Sequence, residues 1–440
     1  MVAPLKVGIA GLGTVGAEVV RLIEQQQSIL AARCGRGIKV VAVTARNKAK
    51  KRGIDLRGID WMKDPLAVAT HPEVECFVEL MGGAGDPALG AISAALAAGK
   101  SVVTANKALV AKHGVKLANA AEKHGGALNY EAAVAGAIPV IKTLREGLSG
   151  TSINRVYGIL NGTCNYILTR MEQEGLSFEE CLKDAQRLGY AEAEPSFDVD
   201  GYDTAQKLAI LASLAFGTKV NEGAVSVEGI STIAAEDLRA AADLGYRIKL
   251  LGVAMRTKTG IEQRVHPTMV PLTSSIAQVM GVTNAVTIDG AGIAPITLVG
   301  PGAGGAATAS AVLADIADVA RNVRALPFAQ PVAKLATTTK APMERHEGGY
   351  YIRLMARDLA GTAARIATRL AEQKISLESI VQKHPNGKLE PIDGTKKSSP
   401  VPVILITYAT SEDAMRRALQ AVQKDKVISG KPQVIRIEKN

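Results

Sequence analysis

Aromatic residues make up only 3% of the 440-residue chain, and there is a single tryptophan. Base stacking on nucleic acid requires aromatics interleaved with a clustered basic stripe. Here the aromatics are scarce and the lysines dispersed, so the formal charge of +10 points to an acidic small molecule, and no nucleic-acid partner is expected. Cysteine is equally sparse. Cys34, Cys76, Cys164 and Cys181 share no metal-ligand spacing and are too few for a disulfide scaffold, which suits a reducing cytoplasm. Two stretches, 265–288 and 290–314, lack Asp, Glu, Lys and Arg altogether. Each is broken by two prolines, and the second also by a glycine cluster, whereas a membrane span needs about 20 apolar residues in continuous helix. They read as buried strands and close-packed loops, and no membrane partner is expected. The opening MVAPLKVGIAGLG has no cleavage-like small-residue site and is not expected to be a signal peptide.

What is present is ample apolar material: 47% of the residues are hydrophobic and 43 are glycine. A chain of this length and composition is expected to form two to four globular domains. In the first 130 residues short apolar runs (5–10, 39–44, 76–80, 101–104 and 127–131) alternate with helical patterns such as 15–27 and 86–98. That alternation predicts a parallel sheet with right-handed crossovers, of Rossmann type. The middle mixes helices (177–188, 203–216) with strands (156–160, 247–255). The stretch 326–348 reads as an extended connector. Beyond it, strands at 350–355, 377–381, 403–408 and 434–437 enclose helices at 363–371 and after Ser411, with a turn at Pro385-Asn386-Gly387. The order βαββαβ is that of a ferredoxin-like module. The expected division is 1–150 for nucleotide binding, 151–325 for catalysis and oligomerisation, 326–348 as linker, and 349–440 as a regulatory module.

The first strand runs into Gly11-Leu12-Gly13-Thr14-Val15-Gly16 and then an apolar helix. Glycines at these offsets permit a tight turn, and the helix N-terminus offers N–H groups and a positive dipole to a pyrophosphate. Strand, turn and helix in this order predict dinucleotide binding. After the second strand, where an acid would bind the ribose 2′-hydroxyl of NAD, the chain has Thr44-Ala45-Arg46-Asn47-Lys48. With no acid at the tip and Arg46 placed to meet a 2′-phosphate, NADP is favoured over NAD; a solvated basic loop is the alternative.

Residues 185–207 carry Glu194, Asp198, Asp203 and Lys207 ahead of and within an apolar helix. Asp203 and Lys207, four residues apart, make either an ordinary surface ion pair or part of a site that holds a cationic amine and protonates a carbonyl oxygen. Spacing alone leaves both open.

The same segment resembles the homoserine dehydrogenase signature, with Glu194 in place of the usual Asp before Pro195. The resemblance runs along the chain through Val78-Glu-Leu-Met-Gly-Gly83, Thr104-Ala105-Asn106-Lys107, Asn161-Gly-Thr-Cys-Asn-Tyr166 and the glycine-rich segment around Gly302, where Ala307 replaces the usual Pro. It implies reduction of L-aspartate 4-semialdehyde to L-homoserine by NAD(P)H, in threonine, methionine and isoleucine biosynthesis. It implies Lys207 as proton donor, Lys107 at the nicotinamide and substrate end, Asp203 as orienting carboxylate, and Glu194 with Asp198 receiving the substrate amine. Thr104 and Gly302 join the cofactor set. The resemblance further implies a monovalent cation such as Na+ on Glu131, Val134, Gly136 and Ile138; an ordinary strand-to-helix turn is the alternative. A homodimer or homotetramer is expected. Arg357-Asp358-Leu359-Ala360-Gly361 resembles the loop of an ACT domain, which implies threonine as effector; a purely structural module is the alternative. Two rivals remain: a dehydrogenase of 2-hydroxy acids, which would want a catalytic histidine set that the six histidines do not evidently form, and a nonenzymatic amino-acid sensor.

Overall fold

The computed structural model describes residues 2–357, 359–382 and 400–438. Asp358 and the expected turn at 385–387 therefore lie outside the described residues. Two sheets organise the chain. The first contains β1 (Leu5–Ala10), β2 (Ile38–Thr44), β3 (Asp60–Trp61), β4 (Cys76–Glu79), β5 (Ser101–Thr104) and β6 (Leu128–Asn129) in the order 3-2-1-4-5-6. Every pair in it is parallel. This is the doubly wound dinucleotide-binding order, in which ligands gather at the carboxyl ends of strands where the order reverses. Its central strands are buried on both faces, which is why they read as continuous Val/Ile runs rather than as alternation.

The second sheet takes in β7 (Ile153–Ile159), β8 (Ser226–Val227), β9 (Tyr246–Thr257), β10 (Gly260–Pro271), β11 (Thr283–Gly290) and β12 (Ile296–Pro301), and continues into β13 (Glu347–Ala356), β14 (Leu377–Gln382), β15 (Val401–Thr407), β16 (Thr410–Ser411) and β17 (Ile428–Ile437). Its main path runs β12-β11-β7-β9-β10-β17-β13-β15-β14. Apart from the two-residue β16, which pairs with β13 off the main path, the C-terminal unit is βαββαβ in order, with helices Thr362–Glu372 and Glu412–Lys424 packed on Tyr350, Ile352, Leu354 and Leu405. Ser411 caps the second helix, accepting from the N–H of Ala414.

This unit is joined edge to edge with the middle one, because β17 pairs in parallel with β10 through Thr268–Arg436 and Met269–Ile437. Charge fills the seam. Arg264, 1% exposed, pairs with Glu262 and Glu438. Arg155 reaches Glu438 and Asp289, Arg436 reaches Glu228 and Glu412, and Arg353 grips Asp237 through two hydrogen bonds of 2.7 and 3.0 Å.

Three sequence readings change. The stretch 290–314, expected as strands and loops, turns helical at Gly305, and the helix Gly305–Ala320 runs on beyond it. Its small side chains give little periodicity because the helix is buried on several sides: Ala309, Val312 and Ile316 belong to the core of the first sheet, with Val7, Ile9 and Val78. The final strand expected at 127–131 stops at Asn129, and Glu131 opens a one-turn helix, Glu131–Ala133. The extended connector is packed: Phe328 is fully buried, Tyr130 donates to Pro327 O at 2.5 Å, and single bridges join Ala336 to Thr218 and Lys340 to Ile261. Among the described residues no helix is long and apolar enough to cross a membrane, and the four cysteines are buried and unpaired.

Candidate active site

At the end of β1 the backbone turns at Gly11, whose φ of +102° suits glycine. A side chain there would strike Leu80 O at 2.5 Å, and one at Gly16 would strike Gly11 O at 1.9 Å. Gly13 differs: a Cβ built on it meets nothing within 4 Å. Gly13 precedes the helix Thr14–Gln25 without a side-chain cap, so the first N–H groups of that helix remain for an outside acceptor. A tight turn, an open approach and an uncapped N-terminus fit a dinucleotide pyrophosphate. Leu12 lies in this turn with its carbonyl accepting from Arg52 Nε at 2.9 Å. Arg52 also donates to Lys50 O and Asn47 O, so it folds the basic loop that carries exposed Arg46. Sequence reasoning left Arg52 without a role; its place after the lysine run was the available signal.

Thr104, at the end of β5, is buried and donates to Glu79 Oε2 at 2.6 Å. Glu79 also accepts from the N–H groups of Met81 and Gly82. Thr104 Oγ1 accepts from the N–H of Asn106, and the Asn106 side chain caps the helix Lys107–His124 at Leu109 N. This chain of bonds fixes Lys107, the first residue of its helix.

Lys107 Nζ stands 3.2 Å from Asp203 Oδ1, and Lys207 Nζ stands 2.7 Å from Asp203 Oδ2. The helix Tyr202–Phe216 supplies Asp203 and Lys207, so two ammonium groups from different helices meet on one carboxylate. Asn161, the cap of the helix Gly162–Glu174, donates to Asp203 Oδ2 at 2.9 Å and to Asp198 Oδ1 at 2.8 Å. Burial works to raise the Asp203 pKa, but the two lysines and the hydrogen bonds from Lys207 and Asn161 outweigh it and hold the carboxyl at about 2. Asp198 moves the other way, raised by burial and by the charge of Asp203. Lys207 donates its remaining described hydrogen bond to Leu160 O at 2.7 Å. Of its three donors, one is therefore left among the described residues. Asn161 was read as part of a motif, not as a site residue; its spacing to Cys164, three residues on, was the cap signal.

Glu194 stands apart. It is exposed and accepts from Ser196 Oγ at 2.7 Å, with no hydrogen bond to Asp198 or the lysines. In the turn after β6, Glu131 is buried, and its carboxylate oxygens accept from Ile141 N and Lys142 N, both at 2.8 Å. Burial and then Asp315 raise its pKa to about 7. The carbonyls of Glu131 and Ile138 accept from Val134 N and Val140 N. Ala135 and Gly136 both have positive φ, and Gly136 abuts Gly302, so a Cβ there would lie 2.6 Å from Gly302 O. Gly302 thus ties this turn to the site. The Glu131 carboxylate and the carbonyls of Glu131 and Ile138 all accept backbone hydrogen bonds, so a cation here would share oxygens that are already engaged.

A doubly wound nucleotide domain, abutting a pair of lysines held by one buried aspartate, defines a nicotinamide-dependent oxidoreductase. Residues 139–317 match the family model for homoserine dehydrogenase, and residues 11–131 match that for the homoserine dehydrogenase NAD-binding domain. The homoserine dehydrogenase of Pseudomonas aeruginosa is 44% identical over 99% of both chains, and that of Neisseria gonorrhoeae is 40% identical over 99% of both. The crystal structure of a homoserine dehydrogenase from Thiobacillus denitrificans superposes with a TM-score of 0.91 at 42% identity, covering 99% of this chain and 98% of that one. The chain belongs to the homoserine dehydrogenase family.

Proposed function

We propose that the chain interconverts L-aspartate 4-semialdehyde and L-homoserine with NADP as preferred cofactor and Lys207 as proton donor. The observation that carries this reading is the convergence of Lys107 and Lys207 on Asp203. Bound NAD(P)H supplies the hydride for the aldehyde carbon. The protein delivers a proton from Lys207 Nζ to the aldehyde oxygen, and the neighbouring ammonium of Lys107 offsets the charge that develops there. Asp203 holds both lysines in place and stays ionised. Asp198, half-buried and bonded to Asn161, receives the substrate ammonium; Glu194, on the exposed segment before it, adds long-range attraction. Arg46, on the loop braced by Arg52, meets the 2′-phosphate; an archaeal homoserine dehydrogenase 26% identical to this chain has been solved with NADPH.

Residues 349–440 form a ferredoxin-like ACT module that binds threonine in this reading, supported by its strand order and by Gly361 at positive φ before the helix Thr362–Glu372. A monovalent cation bound by the carbonyls of Glu131, Val134, Gly136 and Ile138 would brace the turn against Gly302. Dimers or tetramers form through the edge of the second sheet, where Val299 of β12 is 56% exposed.

Homoserine oxidation followed by NADPH or NADH absorbance, with and without millimolar threonine, tests these parts together. Turnover faster with NADP and depressed by threonine is expected. No turnover with either cofactor would overturn the enzyme reading, whereas indifference to threonine would remove only the effector. The full chain is required, because removing the C-terminal unit would strip β17 from β10 and bare Arg264.

A further inference from the structure

Asn284 is the second residue of β11, opposite Gly300 of β12, and is 1% exposed, yet neither its Nδ2 nor its Oδ1 has a hydrogen-bond partner among the described residues. Buried polar groups are nearly always paired, so such an amide marks a place where the fold keeps a donor and an acceptor for something else. Its surroundings say what. The next residue, Ala285, pairs with Ile159 of β7, which sets Asn284 beside Leu160 and Asn161, the residues that hold Lys207 and Asp203. A Cβ on Gly302 would fall 2.0 Å from the Asn284 amide, and one on Gly162 would fall 3.6 Å from its Oδ1. Three residues past Gly302, a Cβ on Gly305 would lie 2.7 Å from Thr14 Cγ2 in the nucleotide turn. The amide is therefore pressed between the segment that leads back to the dinucleotide turn and the helix start at the catalytic cluster. This is the junction where a nicotinamide ring has to lie for its hydride to reach substrate.

We propose that Asn284 reads the carboxamide of the nicotinamide ring, donating from Nδ2 to the carboxamide oxygen and accepting at Oδ1 from its N–H. The inference rests on the dehydrogenase reading. A substrate carboxylate would engage Nδ2 alone and an ammonium Oδ1 alone; a primary carboxamide carries one acceptor and one donor on adjacent atoms and satisfies both. Gly302 covers the amide, and with Gly300, Gly304 and Gly305 around it the segment has the backbone freedom to move aside.

The test is Asn284→Leu, close in volume and without polar atoms, in the full chain. Calorimetric titration with NADP is expected to give a Kd raised about tenfold, the scale of losing hydrogen bonds in a buried site, with KM for homoserine changed less than twofold. The unliganded variant should melt no lower than wild type, since an unpaired buried amide has gone. A cofactor analogue with a 3-acetylpyridine ring, which keeps the acceptor and lacks the N–H donor, should bind wild type more weakly than NADP does and bind the variant equally. Asn284→Ala serves the same titrations if the leucine variant does not fold. Unchanged NADP affinity, retained discrimination against the analogue, or a rise confined to the homoserine KM would overturn the assignment. Wild-type homoserine turnover in the same preparation separates this failure from failure of the dehydrogenase reading.

Discussion

Two clusters of partly or fully buried charge lie within this molecule, and they are built from different cations. Along the seam between β10 and the C-terminal unit the main positive groups are arginines, and Arg155, Arg264 and Arg436 each take two carboxylates. At the catalytic cluster both are lysines, and they share Asp203. A guanidinium keeps its proton at any working pH and presents a rigid fork suited to carboxylates, whereas an ammonium is a compact charge able to release a proton. In the seam each of these arginines is held by two carboxylates; the catalytic cluster keeps Lys107 a third exposed and one Lys207 donor free among the described residues. Lysines left with donors to spare beside an opening are arranged to react. Arginines each gripped by two carboxylates are arranged to hold.

The sharpest test of that contrast removes one cation from each side. Lys207→Ala should lower kcat by about 10² to 10⁴ while leaving NADP affinity and melting temperature near wild type, and Lys207→Arg should not restore turnover because its proton is not transferable. A variant with more than half of wild-type kcat would end the proton-donor assignment. Arg264→Met should do the reverse. Glu262 and Glu438 would lose their shared buried partner, a loss of about 3 to 5 kcal/mol of stability, read by denaturant titration, with kcat of the folded fraction unchanged. If Arg264→Met instead abolished turnover at full stability, the seam would have to be counted as part of the site.

A third, milder case is a cation with no buried partner at all. Arg46 is exposed, so Arg46→Ala should leave stability alone and raise KM for NADP about tenfold or more, the scale of a lost charge-assisted hydrogen bond. KM for NAD should hardly change. Equal effects on the two cofactors would make Arg46 a surface charge only.

The parts of this architecture legible in the sequence are those governed by local rules. Hydrophobic runs and the glycine turn located β1, β5 and the helix after Gly13 within a residue or two, and Ser411 announced its helix because capping is a short-range interaction. The motif around Asp203 named Lys207 and the Thr104–Lys107 motif named Lys107, but only the fold brings Lys107 to Asp203 from a helix nearly a hundred residues earlier. The helix Gly305–Ala320 escaped because alanines and glycines packed on several sides show no apolar stripe. The seam was equally silent: Arg264 and Glu438 are far apart in sequence, and nothing local distinguishes a buried arginine from a solvated one. Glu194 shows the opposite limit, a residue singled out by its motif that the fold leaves on the exposed face.

Lys249 is the finest test of the comparison, since it is a lysine buried as deeply as Arg264 of the seam but without a carboxylate in contact. It is 1% exposed and donates to Asn165 Oδ1 at 2.9 Å and Val279 O at 2.6 Å. Burial, helped by Arg247 and opposed by Glu172, pulls its pKa down to about 7 from 10.5. Between those values the unfolded chain binds the proton and the folded chain does not, so the contribution of this group to stability rises with pH across that window. Below pH 7 the ammonium is kept at the full expense of burying it. In Lys249→Met the linkage disappears, and the carbonyl of Val279 and the amide oxygen of Asn165 each lose a donor. Melting temperatures of the two proteins should therefore be compared at pH 6.5, 8 and 9.5. The difference is expected to move in favour of wild type as pH rises, with the largest change above pH 7 and little below it. A flat difference would mean that Lys249 keeps its proton when buried, as the seam arginines do, and that neutral hydrogen-bond acceptors suffice to hold an ammonium in this core.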